Sequence, residues 1–108
     1  IRVRDVTGVQ TCALPIFFTS LRIEQDNGYN EIADFMLEIA RQQDGFLGIE
    51  AARKEIGITV SYWRDRDSIR RWKEHTMHVI AREKGRESWY SAYKVRIARV
   101  EKDYDFGI

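Results

Sequence analysis

Residues 46–64 read FLGIEAARKEIGITVSYWR, and this stretch decides the fold. Its second half, Ile58 to Arg64 (ITVSYWR), holds the densest run of β-branched and aromatic residues in the chain. Such residues suit a pleated, half-buried surface, so this half reads as a strand. Phe46 to Lys54 (FLGIEAARK) reads as a second strand. Only Glu55-Ile56-Gly57 separates the two, a gap that suits a hairpin.

Working outward, each flank of the hairpin supplies one helix and one strand. Upstream, Tyr29 to Gln43 carries Tyr29, Ile32, Met36, Ile39 and Ala40 at helical spacing. Asp26 or Asn27 suits its N-cap, and Gly45 suits its stop. Phe17 to Ile23 (FFTSLRI) precedes it as a strand. Downstream, Asp65 to Ser68 offers several cap residues. A single helix is then expected from Ile69 to about Lys84, with Ile69, Trp72, Thr76, Val79 and Ile80 on one face and Gly85 at its end. Glu87 to Ser91 reads as a link. Tyr93 to Val100 (YKVRIARV) alternates as a half-buried strand, with Tyr93, Val95, Ile97 and Arg99 on one side.

The resulting order, β-α-β-β-α-β, is the ferredoxin-like α+β arrangement: an antiparallel four-stranded sheet with two helices on one face. The other face needs cover, because Tyr93 or Val100 would otherwise lie exposed there. Two such sheets packed face to face, a dimeric α+β barrel, would supply it. A chain of this size buries a modest fraction of its surface, so a homodimer is expected.

The N-terminal stretch reads differently. Residues 6–16, VTGVQTCALPI, match residue by residue the forward translation of a common short-read sequencing adapter. Nothing in the physics of folding favours an adapter's reading frame. Residues 1–16 are therefore expected to be an artefact, residues 17–104 the domain, and residues 105–108 a C-terminal tail. The sole cysteine, Cys12, and the sole proline, Pro15, fall in that stretch and say nothing about redox compartment or turns. Pro15 would lie where a central strand donates a hydrogen bond, so this end is expected to fray or to be forced into a strand.

Charge excludes several function classes. The chain has 18 basic and 17 acidic residues. Setting aside Arg2, Arg4 and Asp5 leaves 16 of each sign. A neutral domain has no long-range field to gather a polyanion, so nucleic acid is not an expected partner. No apolar run approaches membrane-spanning length, so no membrane partner is expected. A cytoplasmic location is expected, although the segment that would carry a signal peptide is overwritten.

Candidate chemistry lies on the second helix. Trp72, His75, His78 and Arg82 follow at spacings of three, three and four, along one helical face. Together they offer an aromatic wall, two imidazoles and a guanidinium. Histidine titrates near neutrality, so His75 or His78 is a candidate base for a phenolic proton. The competing reading is that both are solvated or interfacial. His75-x-x-His78 has no third ligand at recognisable spacing, so no metal is expected.

GFLGIEAAR, GITVSYWRDRDSIRRWKEHTMH and GRESWYSAYKVRIARVEKDY resemble the antibiotic biosynthesis monooxygenase family, stand-alone type. The resemblance runs from Phe17 to about Tyr104 and implies the dimeric α+β barrel. It implies an oxygenase that works without a cofactor and oxidises a quinol or other small aromatic molecule with O2. The alternative it leaves is a non-catalytic small-molecule-binding homodimer. On the same resemblance Trp63 is the tryptophan that lines the family's substrate pocket, although a core aromatic explains it as well. The oxygenases' asparagine four residues earlier is here Thr59, and their pocket tyrosine six residues later is Ile69. Haem-degrading relatives carry a proximal histidine ten residues after the helix tryptophan; here that place is Arg82, which disfavours haem. Arg86, Trp89 and Tyr90 match a recurring feature of stand-alone members, with packing and dimer contact as the implied role. Apart from the resemblance, Lys94, Arg96 and Arg99 could pair with Glu50 or nearby aspartates, with a solvated face as the default reading.

Overall fold

The computed structural model describes residues 2–5, 11–23 and 28–107. Its elements are β1 (Arg2–Asp5), β2 (Leu14–Arg22), α1 (Tyr29–Arg41), β3 (Phe46–Arg53), β4 (Gly57–Trp63), α2 (Arg66–Glu74), α3 (Thr76–Lys84), a π-helical turn (Gly85–Trp89) and β5 (Tyr90–Ile97). The sheet is antiparallel throughout, in the order β1-β3-β4-β2-β5. The four strands β3-β4-β2-β5 are those of the β-α-β-β-α-β plan, and β1 adds to the edge at β3. The hairpin read from residues 46–64 is β3-β4, with one irregularity between Phe46 and Gly48.

Cross-strand register decides which side chains meet the helices. Phe18 lies opposite Thr59 on β4 and Val95 on β5, and Ile16 lies opposite Ser61 and Ile97. Alternation therefore sends Ile16, Phe18, Thr59, Ser61, Trp63, Tyr93, Val95 and Ile97 to one face. Tyr93 was expected on the uncovered face, and the register corrects this. The core on the helical side is Leu14, Ala40, Trp63, Ile69 and Trp72, with Ile16, Met36, Ile39 and Phe46 packed against it. On the opposite face Leu21 and Ile58 are exposed. There Glu50 accepts a hydrogen bond from the Tyr62 hydroxyl at 2.6 Å, and no ion pair joins it to Lys94, Arg96 or Arg99 among the described residues.

Pro15 lies within β2, between β4 and β5, and its carbonyl accepts from the Ala98 amide at 3.0 Å. The two groups of an antiparallel hydrogen-bonded residue point to the same neighbour, so the reciprocal donor to the Ala98 carbonyl is missing. Pairing nonetheless resumes beyond it, from the Val100 amide to the Ala13 carbonyl at 2.9 Å. This accounts for β5 ending at Ile97 rather than Val100. Strand pairing thus reaches residues expected to fray or be forced, at Leu14–Ile16 and at Arg2–Asp5.

The first helix begins after Gly28, which holds φ 82; Asp26 and Asn27 lie outside the described residues. Gly45 holds φ 90 four residues after α1 ends, and a Cβ there would overlap the Ser68 hydroxyl. Ser68 is buried and is held by Asp65, the N-cap of α2, through its amide at 2.8 Å and its hydroxyl at 2.7 Å. Arg64 forks onto Asp44 at 3.0 and 3.1 Å and completes the junction. Gly45→Ala combines left-handed strain with overpacking, and is expected to cost about 2–3 kcal/mol. Chemical denaturation measures this; an unchanged midpoint would contradict the close approach.

The single helix expected from Ile69 to Lys84 is instead two. It starts earlier, at Arg66, and breaks at His75, where ψ is 132°. The His75 Nδ1 accepts from the Met77 amide at 3.2 Å and so caps α3. Of the residues expected as a link, Glu87 to Trp89 belong to the π-helical turn, and Tyr90 and Ser91 already lie in β5.

Candidate active site

A cavity of about 460 Å³ lies between the sheet and the helices, within the size range of small-molecule sites. One wall is the sheet face just described. α1 supplies a second wall because Tyr29, Ile32, Met36 and Ala40 recur on one stripe. The third comes from Ile69, Trp72, His78, Arg82 and the π-helical turn. Val95 and Ile97 line the cavity and are half exposed, so it opens to solvent along β5.

At one end, Trp63, Trp72 and His78 form a continuous stack. Trp63 is fully buried and its indole N–H donates to the Ser61 hydroxyl at 3.0 Å. The Trp63 and Trp72 rings lie 5.8 Å apart at 24°, and the Trp72 and His78 rings 4.6 Å apart at 13°. The helix break creates this arrangement. In an unbroken helix the Trp72 carbonyl would accept from the amide four residues on. Here it accepts from the His75 amide at 3.1 Å and lies 3.1 Å from His78 Nδ1. A carbonyl can only accept, so Nδ1 carries the proton and Nε2 is left with its lone pair. Burial pushes the His78 pKa below its ordinary value, and the nearby Arg82 charge pushes the same way, against the carbonyl contact. The imidazole is therefore neutral at pH 7 and fit to take a proton.

At the other end, aromatic rings cluster around Phe18. Tyr90 and Tyr93 lie 5.3 and 5.4 Å from it, and Tyr29 meets Trp89 edge-on at 5.6 Å. Burial, with a hydrogen bond to Tyr29, raises the Tyr90 pKa and keeps the phenol protonated. Arg86 Nε donates to the Tyr93 hydroxyl at 2.7 Å, tying the π-helical turn to β5. Trp89 and Tyr90, read from sequence as packing and dimer residues, line the cavity.

Of the residues singled out from sequence, Trp63, Thr59, Ile69, Trp72, His78 and Arg82 all line this cavity. His75 is not among the lining residues; it spends its Nδ1 on the cap of α3 and lies 5.9 Å from the Trp72 ring. Sequence reading missed Phe18, Tyr29 and Tyr93 as lining residues. The available signals were the helical stripe that carries Tyr29 and the alternation that put Tyr93, Val95 and Ile97 together without saying which face was covered. Among the described residues no three His, Cys, Asp or Glu side chains gather closely enough to hold a metal ion. No helix among them is long and apolar enough to cross a membrane.

No protein-family model matches the chain. It is 47% identical over 89 residues to the uncharacterized protein YqjZ of Bacillus subtilis strain 168, covering 81% of this chain and 78% of that protein. It is 33% identical over 91 residues to Jasmonate monooxygenase ABM of Pyricularia oryzae, covering 79% of this chain and 41% of that protein's length. Its fold is similar to that of SnoaB, a cofactor-independent oxygenase from Streptomyces nogalater. The TM-score is 0.72 at 11% identity, over 85% of this chain and 96% of SnoaB.

Proposed function

We propose that the chain is a member of the antibiotic biosynthesis monooxygenase family and that it oxidises a quinol or other small aromatic molecule with O2 in this cavity, without a cofactor. The observation that carries the reading is the Trp63–Trp72–His78 stack, which holds a half-buried, neutral imidazole in the cavity lining with its Nδ1 on the Trp72 carbonyl. A planar ring bound among the apolar lining residues of the cavity brings its hydroxyl to His78. Transfer of the phenolic proton to Nε2 moves electron density onto a hydrogen-bearing ring carbon ortho to the oxygen. That carbon adds O2, and the imidazolium returns the proton to the peroxide oxygen. Loss of water with the ring hydrogen leaves a carbonyl. In sum a phenol and O2 give a quinone and water, with the substrate supplying every electron.

A non-catalytic binding module is the second reading. It is favoured by Thr59 and Ile69, which line the cavity where the oxygenases carry an asparagine and a tyrosine. Oxygen uptake with a panel of quinols separates the two. Uptake above the buffer blank, abolished by filling the pocket with a non-oxidisable aromatic, supports the oxygenase. Uptake equal to the blank with every quinol favours the module.

Either reading uses a homodimer, supported by the exposed Leu21 and Ile58 on the sheet face that no helix covers. Light scattering after size exclusion is expected to give twice the 12.8 kDa chain mass. A monomer at micromolar concentration would remove the barrel.

A further inference from the structure

Among the described residues, the charged side chains lining the cavity are of one sign. Lys73, Arg82 and Arg86 line it, and among the described residues no aspartate or glutamate does. Arg86 is engaged with the Tyr93 hydroxyl. Arg82 is different: its Nε is buried and has no hydrogen-bond partner, the one such side-chain atom among the described residues. It forms no ion pair among them either, while arginines elsewhere, such as Arg64 with Asp44, are matched to carboxylates. A buried guanidinium donor without an acceptor costs free energy unless something that enters the site supplies one. The lining around it is mostly apolar and aromatic, so an acceptor carried on an otherwise apolar molecule would match both.

We propose that the cavity selects small apolar molecules bearing a carboxylate, with the carboxylate on the Arg82 guanidinium and the hydrocarbon body against the apolar lining that α1 and β5 supply. This rests on the reading of the cavity as a small-molecule site and names the class of molecule it takes. The planar fork of a guanidinium matches the two oxygens of a carboxylate, which a lone hydroxyl does not. The orphaned Nε supplies one edge of that fork. The cavity volume admits a bicyclic ring acid. Arg82 here is a binding residue; the oxidation itself falls to His78.

The test uses 2-naphthoic acid and its methyl ester, which share a ring body and differ in charge, by isothermal titration at pH 7.5. The acid is expected to bind the unmodified chain at least about tenfold more tightly than the ester, the scale of a charge-assisted hydrogen bond. Arg82→Met is expected to erase that preference by weakening the acid alone, and Arg82→Lys to keep part of it. A thermal melt establishes that each variant is folded. Equal binding of acid and ester, or a preference that survives Arg82→Met, overturns the proposal while leaving the cavity reading intact. If neither probe binds at millimolar concentration, the cavity reading falls and the proposal with it. No O2 enters the titration, so a preference for the acid stands even if no quinol is oxidised.

Discussion

Replacing His78 with alanine is expected to lower the rate of quinol oxidation by about 10²- to 10⁴-fold, the scale of general-base catalysis by a positioned side chain. The imidazole meets the requirements of a base on three counts. Its Nδ1 proton is committed to the Trp72 carbonyl, its ring is stacked on Trp72, and burial keeps it neutral. His78→Gln keeps a hydrogen-bonding side chain of similar reach but cannot take the proton, so it is expected to lose as much rate as the alanine variant. Initial rates of both variants, beside unchanged melts, check this. If glutamine retains full activity, His78 only packs.

The same burial sets a pH dependence. The His78 pKa is lowered below 6.5 in the folded chain, so the unfolded chain takes up the proton first as pH falls. Stability from this group is complete above pH 6.5 and is lost as pH drops through the folded value. The groups that act on it are Arg82 and His75, with the Trp72 and Lys73 carbonyls opposing them. Denaturation midpoints between pH 7 and 5 are expected to fall less in His78→Gln than in the unmodified chain. Catalytic rate is expected to fall over the same range as Nε2 is filled.

Trp63→Ala is expected to cost about 3–5 kcal/mol, the usual range for removing a buried tryptophan. Trp63 has no exposed surface, packs edge-on against Phe46 at 5.4 Å and stacks on Trp72. Its removal leaves a void at the point where β4 meets α2, and the Ser61 hydroxyl loses its indole partner. For a chain of this length the melting temperature should fall by about 10 °C or more. Trp63→Phe refills much of the space and should recover most of the loss. A melt of Trp63→Ala within a few degrees of the unmodified chain would mean that the stack is not part of the core.

The hairpin and the order of elements were legible because period-two and helical patterns are local, and residues 46–64 carry both strands with little between them. The break at His75 was not. Neither glycine nor proline stands at Glu74, His75 or Thr76, and the cap comes from an imidazole turning back on the Met77 amide. The consequence is functional: a continuous helix makes His75 and His78 equivalent candidates, whereas the break separates a capping residue from a cavity-lining one. Trp63 and Trp72 could be paired by motif. Their contact with His78, and the orphaned Arg82 Nε, depend on side chains brought together by three elements and could not be read from spacing. Pro15 warned of a defect in a central strand, and the shortened β5 is where that defect is seen.

The most direct measurement is oxidation under ¹⁸O2, with metal-stripped chain and a quinol that supports uptake. Chemistry at the Trp63–Trp72–His78 cavity predicts one labelled oxygen in each product molecule, the other leaving as water, and loss of that labelling rate in His78→Gln. Unlabelled product, or full labelling at an undiminished rate in His78→Gln, would contradict it.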